Sequence, residues 1–321
     1  MADVSVLNTT TVAALDAAVP ELWNKKLYVE AERKMFWSRF EGMETSGMPV
    51  IRKDDLAKQP GDVIHINSIY QMTGAGVTGA STLQGNEETM RLAQKDLSID
   101  WLRHATAVNK RTKGQINFTW AIQAAQPLLS TWLSKKMDNA IFTKFGTATT
   151  ALFAGDATST ATLDASDTLS TTTLDKIKTY MEDNLAEPIR TDGGEEYYGI
   201  VIHPYDAYNL RQDSTWSQAQ RDANIRGDNN PLFTGAMGVY NGMIIYKNKG
   251  VSNSASKSKC IVFGGESVFR GYGMVPTFTN QLEDYGFQVG VGVEAVYGEA
   301  LNDSVNTNFA IVESYATNPI S

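Results

Sequence analysis

Apolar and polar residues alternate in two segments of the N-terminal third of the chain, and this pattern predicts a long β-hairpin. Residues 63–70 alternate between two faces. The return segment alternates as well, with Leu97, Ile99 and Trp101 on one face. Between them, about residues 73–89 are polar and rich in glycine. Such a tip buries little apolar area of its own, so we expect it to gain order by lying on another surface.

Residues 115–146 carry the strongest helical pattern, because apolar residues recur there at steps of three and four and Gly146 supplies a stop signal. Pro127 lies inside this run. It either kinks one long helix or begins a shorter helix as its first residue. A second helical pattern starts at Pro20 and continues through Phe40.

The rest of the chain mixes helix and strand patterns. Residues 147–173 are mostly Thr, Ala, Ser and Asp, which predicts a loop or irregular β segment longer than an ordinary connection. A helix is expected after residue 173, and buried strands are expected near 197–202 and 259–263. Residues 286–298 alternate, and we expect residues 308–316 to return beside them. Strands at both ends with helices between them predict an α+β fold.

The stretch GAGVTG at 74–79 matches the dinucleotide-binding pattern G-x-G-x-x-G, and Asp96 follows at the spacing of a ribose-binding carboxylate. In that motif the third glycine opens a helix whose N-terminus holds the pyrophosphate. The residues after Gly79 carry no helical apolar stripe, and Asp96 belongs to the returning strand. The sequence therefore argues against a dinucleotide site.

Composition narrows the functional classes further. The chain has 28 basic and 36 acidic residues, a formal charge of −8, which argues against a protein built to grip nucleic acid. Its one cysteine, Cys260, lies in an apolar run and is expected to be buried, so no intrachain disulfide can form. No apolar run approaches the roughly 18 residues that span a bilayer, and the N-terminus does not resemble a signal peptide. We expect no membrane partner.

Residues typical of catalysis are sparse. The three histidines are isolated, and none has metal-ligand spacing, so neither a metal nor a cofactor is expected. His203, before Pro204 at a strand end, leaves a hydrolase as an alternative. Arg103 and Arg111 belong to a basic stripe that is either a solvated strand-to-helix junction or a surface that docks on acidic residues of a neighbouring chain.

Five stretches follow one another along the chain: ELW at 21–23, PGD at 60–62, GVTGASTLQGNEE at 76–88, HPYDAYNLR at 203–211 and NPLFTGAMGVYNG at 230–242. Together they resemble a family of tailed-bacteriophage major capsid proteins. The resemblance spans about residues 20–245, and NPLFTGAMGVYNG is its most specific part.

The resemblance implies the Hong Kong 97-type capsid fold, an α+β architecture. Residues 1–50 would form an N-terminal arm and residues 51–108 an extended β-hairpin loop. The peripheral domain would comprise residues 109–198 and 276–321, with its spine helix at about 115–146. Residues 199–275 would form the axial domain.

The function implied by the resemblance is structural rather than enzymatic. Copies would assemble as hexamers and pentamers into the icosahedral head of a tailed phage, in the cytoplasm of a bacterial host. The head would enclose double-stranded DNA without sequence-specific binding, and it would carry a portal protein and, where the particle has one, a decoration protein. The sequence leaves little room for a fused scaffold before the ELW helix, so we expect a separate scaffolding protein.

Candidate subunit contacts come from the arm and the hairpin. They are Trp23, Trp37, Gly76, Gly79, Gly85, Glu87, Glu88, Arg103 and Arg111, the two arginines as ion-pair partners for acidic residues. Two alternatives stay open. One is a cellular nanocompartment shell of the same fold that encloses protein cargo, and the other is a hydrolase that uses His203.

Overall fold

The helices and strands of the chain are taken from a computed structural model. It describes residues 35–43, 46–54, 62–70, 72–109, 118–218, 237–283, 285, 287–303 and 308–320. The helices are α1 (Phe118–Gly146), α2 (Thr171–Asp183) and α3 (Pro204–Gln212), preceded by a 3-10 turn at Trp37–Phe40. The strands are β1 (Glu41–Gly42), β2 (Val50–Lys53), β3 (Val63–Ile69), β4 (Leu92–Ser98), β5 (Asp100–Asn109), β6 (Ala151–Phe153), β7 (Arg190–Asp192), β8 (Glu195–Ile202), β9 (Gly238–Tyr240), β10 (Met243–Lys247), β11 (Asn253–Ser254), β12 (Lys257–Phe263), β13 (Val268–Glu283), β14 (Gln288–Leu301) and β15 (Phe309–Tyr315).

These strands form two large sheets and one hairpin. The five-stranded sheet has the order β1-β2-β13-β14-β5. The larger sheet has the order β6-β15-β12-β8-β10-β9, with β11 on β12 and β7 on β8. Among the described strands, β3 and β4 pair only with each other, from Val63 opposite Ser98 to Ile69 opposite Leu92. The α+β class and the predicted hairpin are therefore confirmed.

Helix α1 packs against both large sheets. In its first half, Leu129 and Leu133 contact Val291 and Val293 of the five-stranded sheet. In its second half, Phe145 and its neighbours pack against buried residues of β12 and β15. One continuous helix therefore joins the two sheets, which also explains why its apolar residues recur over so many turns.

Pro127 lies inside α1, so the helix does not begin there, and a kink at this proline stays a prediction. A proline in a helix removes one backbone donor. The carbonyl oxygen of Pro127 accepts a hydrogen bond from the Thr131 hydroxyl at 2.8 Å. The predicted first residues of this helix, 115–117, lie outside the described residues.

A second layer of helices covers the other face of the eight-stranded sheet. Leu174 and Ile177 of α2 and Leu210 of α3 belong to one buried cluster with the inner residues of that sheet. Ser170 caps α2 by accepting a hydrogen bond from the Thr173 amide, and Pro204 is the first residue of α3. The helix predicted after residue 173 and the strands predicted near 197–202 and 259–263 are confirmed.

Some expectations about neighbouring elements are wrong. Strand β15 does not lie beside β14. It pairs with β12, so it belongs to the eight-stranded sheet. Trp101 does not share a buried face with Leu97, because the chain changes sheets at Ile99 and Trp101 is 60% exposed. The helix predicted through Phe40 is a 3-10 turn at its described end.

The Thr/Ala/Ser run contains the short strand β6 followed by a turn-rich loop that the buried Asp167 organises. The two carboxylate oxygens of Asp167 accept hydrogen bonds from the Asp156 amide at 3.2 Å and the Asp164 amide at 2.9 Å. A loop can therefore hold its shape here without regular secondary structure.

Most of the block at 230–242 lies outside the described residues. None of the described helices combines the length and apolarity of a bilayer span.

Candidate assembly surfaces

The outer half of the hairpin exposes apolar side chains that none of the residues described in the structure covers. Ile69 and Leu92 are cross-strand partners, 60% and 68% exposed. Together with the tip, residues 72–91, they form the hairpin apolar set: Ile69, Met72, Leu83, Met90 and Leu92. Clustered exposed apolar residues of this kind mark a surface that another molecule covers.

The tip is shaped by its own acidic residues. The Glu88 carboxylate accepts hydrogen bonds from the amides of Thr73 at 2.9 Å and Gly74 at 2.7 Å, which closes the two sides of the tip. These bonds, first that of Thr73 and then that of Gly74, lower the pKa of Glu88. Glu87 accepts from the Gly85 amide at 2.7 Å. Both carboxylates therefore hold the tip in shape, and their contact with a neighbour stays a prediction.

The three tip glycines named from the sequence have left-handed backbones. The φ angles of Gly76, Gly79 and Gly85 are 67°, 72° and 89°. A Cβ at any of them would meet nothing within 4 Å. These glycines are therefore needed for the turns of the backbone rather than for close packing within the subunit.

The base of the hairpin rests on a notch that two glycines open in the five-stranded sheet. Gly271 and Gly298 face each other across β13 and β14. A Cβ on Gly298 would overlap the carbonyl oxygen of Ser98, and one on Gly271 would lie 2.8 Å from the side chains of Ile64 and Leu97. The backbone of the hairpin base therefore lies directly against the five-stranded sheet. The sequence patterns did not predict this contact.

Replacing Gly298 with alanine is expected to push the hairpin base off the sheet and to destabilise the subunit by about 1–3 kcal/mol through overpacking. Gly290→Ala on the same strand is the matched control, because its Cβ would have no neighbour closer than 3.8 Å. Urea denaturation and amide hydrogen exchange of β3 and β4 measure the effect. Equal behaviour of the two variants would show that Gly298 does not seat the hairpin.

The arm segment, residues 35–43, is anchored inside the subunit. Trp37 is fully buried, with its ring 5.3–5.5 Å from those of Phe142, Phe145 and Phe263. Asp138 of α1 accepts hydrogen bonds from the amides of Phe36 at 2.7 Å and Trp37 at 3.1 Å. The prediction that Trp37 contacts another subunit is therefore wrong, because residues of its own chain fill the space around it. Trp23 lies outside the described residues.

A buried arginine ties the arm segment to the sheet and the helix. Arg270 donates from Nε and Nη2 to Oε1 of Glu299 at 3.0 and 2.7 Å, and from Nη1 to Glu41 at 3.1 Å. Its Nη2 also donates to the carbonyl oxygen of Met137 at 3.3 Å. Burial acts to lower the pKa of Arg270, but Glu299, with smaller contributions that include Glu41, raises it above its usual value. The guanidinium therefore stays charged and links β13, β14, β1 and α1.

Arg103 lies on β5, the edge strand of the five-stranded sheet. Its side chain is 74% exposed, and its Nε is 3.9 Å from a carboxylate oxygen of Glu294, which leaves most of its donors facing solvent. An exposed pair of this length contributes little to stability. Arg103 is thus accessible to an acidic partner, whereas Arg111 lies outside the described residues.

The residues around His203 form a buried structural cluster. The Nδ1 atom of His203 accepts a hydrogen bond from the Tyr205 amide at 3.3 Å and caps α3. Burial lowers the pKa of His203 and raises that of the fully buried Cys260. Asp206, whose pKa burial raises, accepts hydrogen bonds from Cys260 at 3.5 Å and from Ser314 at 2.6 Å. A protonated buried thiol is not a nucleophile. Among the described residues, no group of three or more potential ligands could hold a metal ion.

Comparisons with known proteins agree with a shell-forming role. The chain is 23% identical over 342 residues to the major capsid protein of Pseudomonas phage KPP25, and the match covers 91% of each chain. The capsid of Ralstonia phage GP4 has a similar structure, with a TM-score of 0.74 at 19% identity, covering 88% of this chain and 91% of that one. The capsid of cyanophage Pam1 gives 0.76 at 18% identity, covering 89% and 93%.

These structural matches confirm the predicted capsid fold of the Hong Kong 97 type. The family model described as phage capsid protein matches residues 11–151 and 138–302. The matched residues make up most of the chain. The chain therefore belongs to the phage capsid protein family.

Proposed function

We propose that this chain is the major capsid protein of a tailed phage, which assembles as hexamers and pentamers into the icosahedral head. As a phage capsid protein, it is part of the virion and assembles with copies of itself. The observation that carries the proposal is the hairpin apolar set, whose side chains are exposed and have no cover within the described part of the chain. In the proposed shell, each hairpin lies on a neighbouring subunit and buries this set.

Burial of the hairpin apolar set can supply the energy of that contact. Fully burying one large aliphatic side chain is worth about 1.5–3 kcal/mol. Burial of all five residues would contribute at most about 7.5–15 kcal/mol per subunit, and closed symmetry repeats the gain at every subunit. Arg103 at the sheet edge is the candidate partner of the tip carboxylates Glu87 and Glu88.

The two sheets suggest how the described residues divide between the domains of the family. We assign the hairpin to the extended loop, and α1 with the five-stranded sheet to the peripheral domain. We assign the eight-stranded sheet and the helices that cover it to the axial domain. Because β15 pairs with β12, we assign residues 309–315 to the axial domain instead of the expected peripheral domain. Helix α2 is assigned to the axial domain as well, because it packs on the same sheet.

The remaining proposed partners follow from the role of a head shell. The net charge of −8 suits a container that holds double-stranded DNA without sequence-specific binding. A strongly positive potential over the lumen of the assembled shell would contradict this. We also propose a separate scaffolding protein, a portal protein and, where the particle carries one, a decoration protein, with assembly in the cytoplasm of the bacterial host. Regular shells of the correct size from this chain alone would contradict the need for scaffolding.

We propose no enzymatic activity. The hydrolase alternative needs an activated nucleophile beside His203, but the nearby Cys260 is fully buried and its pKa is raised. A nanocompartment of the same fold is disfavoured by the family match. The contents of purified particles distinguish the two shells, because a phage head holds nucleic acid and a nanocompartment holds protein.

Replacing both Ile69 and Leu92 with serine is expected to impair shell formation and leave the subunit folded, because the two side chains are exposed before assembly. The yield of particles should fall at least about tenfold, the effect of ~1.4 kcal/mol lost at a contact. Light scattering and electron microscopy of wild type and variant, each with the scaffolding partner, measure it.

Leu185→Ser is the control, since Leu185 is 74% exposed but lies far from the hairpin in the chain. Circular dichroism should show that all three proteins are equally folded. Assembly of the double variant at wild-type yield would overturn the role of the hairpin. A wild-type protein that remains monomeric with scaffolding partners would overturn the capsid proposal itself.

A further inference from the structure

A polar cavity of about 410 Å³ lies where the hairpin base, the C-terminal end of α1 and the end of β14 meet. Ser98 lines it from the hairpin, and Lys144 and Thr147 line it from the end of the helix. Glu299 and Asp303 line it from β14 and the segment that follows. Side chains with hydrogen-bonding groups therefore face the cavity from three separate elements.

Glu299, one of the lining residues of this cavity, has an unpaired buried carboxylate oxygen. The residue is only 5% exposed, and its Oε2 atom has no hydrogen-bond partner among the described residues. Arg270 does not supply one in this arrangement, because four of its five N–H groups are directed at Glu299 Oε1, Glu41 and Met137 and none is bonded to Oε2. Leaving a buried acceptor unsatisfied is costly, particularly when it is charged. A donor that enters from the cavity would remove this cost.

The surroundings favour a positively charged donor. Asp303 and Asp96 line the cavity beside Glu299, and the carbonyl groups at the C-terminal end of α1 add partial negative charge. Of the two lining lysines, Lys95 is already bound to Asp303 at 2.6 Å. An anion would meet these carboxylates. A metal ion is also disfavoured, because no group of three or more potential ligands converges among the described residues.

We propose that this cavity is a binding site for an alkylammonium or guanidinium group, which donates a hydrogen bond to Oε2 of Glu299. The hydroxyl groups of Ser98 and Thr147 are available as further acceptors. Such a cation has two sources, a lysine or arginine side chain of a second copy and a free polyamine. The first source rests on the proposed function, whereas the second does not.

Titration of the unassembled chain with 1,4-diaminobutane tests the site without any shell. At saturating diamine and matched ionic strength, the melting temperature of the wild type should rise by about 2 °C or more. Glu299→Gln should abolish the rise, because the amide cannot attract the cation. Glu294→Gln on the same strand should retain it, since Glu294 does not line this cavity. Equal responses of all three proteins would overturn the proposal.

A high-resolution density map of the assembled particle identifies the source and decides the question if Glu299→Gln fails to fold. A lysine or arginine of the adjacent subunit in the cavity supports the site with a second copy as its source. Separate amine-shaped density supports the site with a free polyamine. A cavity that holds only water, or the chain's own Lys144, overturns the proposal. Failure to form any shell would count against the proposed function, while the diamine titration still decides the site.

Discussion

Replacing Trp37 with alanine is expected to lower the free energy of unfolding of the subunit by about 3–5 kcal/mol. The indole is fully buried between the arm segment, the end of α1 and β12, where it contacts the rings of Phe145 and Phe263. Removing it leaves a void that these rigid rings cannot fill. Urea denaturation of the unassembled subunit, followed by circular dichroism, measures the loss.

Trp101→Ala is the control for this prediction, since Trp101 is 60% exposed on β5 and its loss should cost no more than about 0.5 kcal/mol. The same pair of variants separates the two roles that the sequence suggests for Trp37. If Trp37→Ala folds with wild-type stability and fails only in assembly, then Trp37 acts at a subunit contact and its burial in the core is wrong.

Replacing Arg270 with methionine is expected to destabilise the subunit by about 3–5 kcal/mol, because it leaves Glu299 and Glu41 without their shared cation. The double variant Arg270→Met with Glu299→Leu should recover most of this loss, since it removes the buried charge together with its partner. Arg190→Met is the matched control. Its ion pair with Asp192 is also 2.7 Å long but is 67% and 60% exposed, so its loss should cost less than about 1 kcal/mol.

The penalty in Arg270→Met should depend on pH. Burial already raises the pKa of Glu299, and loss of the guanidinium raises it further. A carboxyl whose pKa is higher in the folded than in the unfolded state destabilises the fold when it ionises. The difference in unfolding free energy between wild type and variant should therefore be largest near neutral pH. It should shrink as the pH falls below the pKa of Glu299 in the folded variant. A difference that does not change with pH would contradict an electrostatic origin.

Sequence patterns predicted those helices and strands that have one side packed on the rest of the subunit and the other side exposed to solvent. The hairpin strands alternate because one side rests on the sheet and the other faces solvent, and Leu97 is accordingly buried while Leu92 is exposed. Helix α1 was predicted because one stripe of it packs on both sheets. In each case the burial of a residue follows from its position within its own element.

Features that depend on distant parts of the chain could not be read in this way. Glu41 and Glu299 are far from Arg270 in sequence, so nothing local indicated that the three would meet. The only signal was a charged residue within the apolar strand VFRGYG. Trp37 shows the same limit, because a pattern reveals an apolar face but not whether the same chain covers it. Gly298 could have been noticed as a glycine inside a strand, which often marks a close backbone approach.

The length of helix α1 has a mechanical consequence, because both large sheets pack against this one helix. Its 29 residues make it about 44 Å long at 1.5 Å per residue. A rotation of about 5° at one end moves the other end by about 4 Å, so the helix acts as a lever that amplifies small changes. In the shell that we propose, subunits in rings of five and rings of six would meet their neighbours at different angles. In the proposed shell, a tilt of α1 would change the distance between the outer ends of the two sheets without a change of the strand pairing inside either sheet.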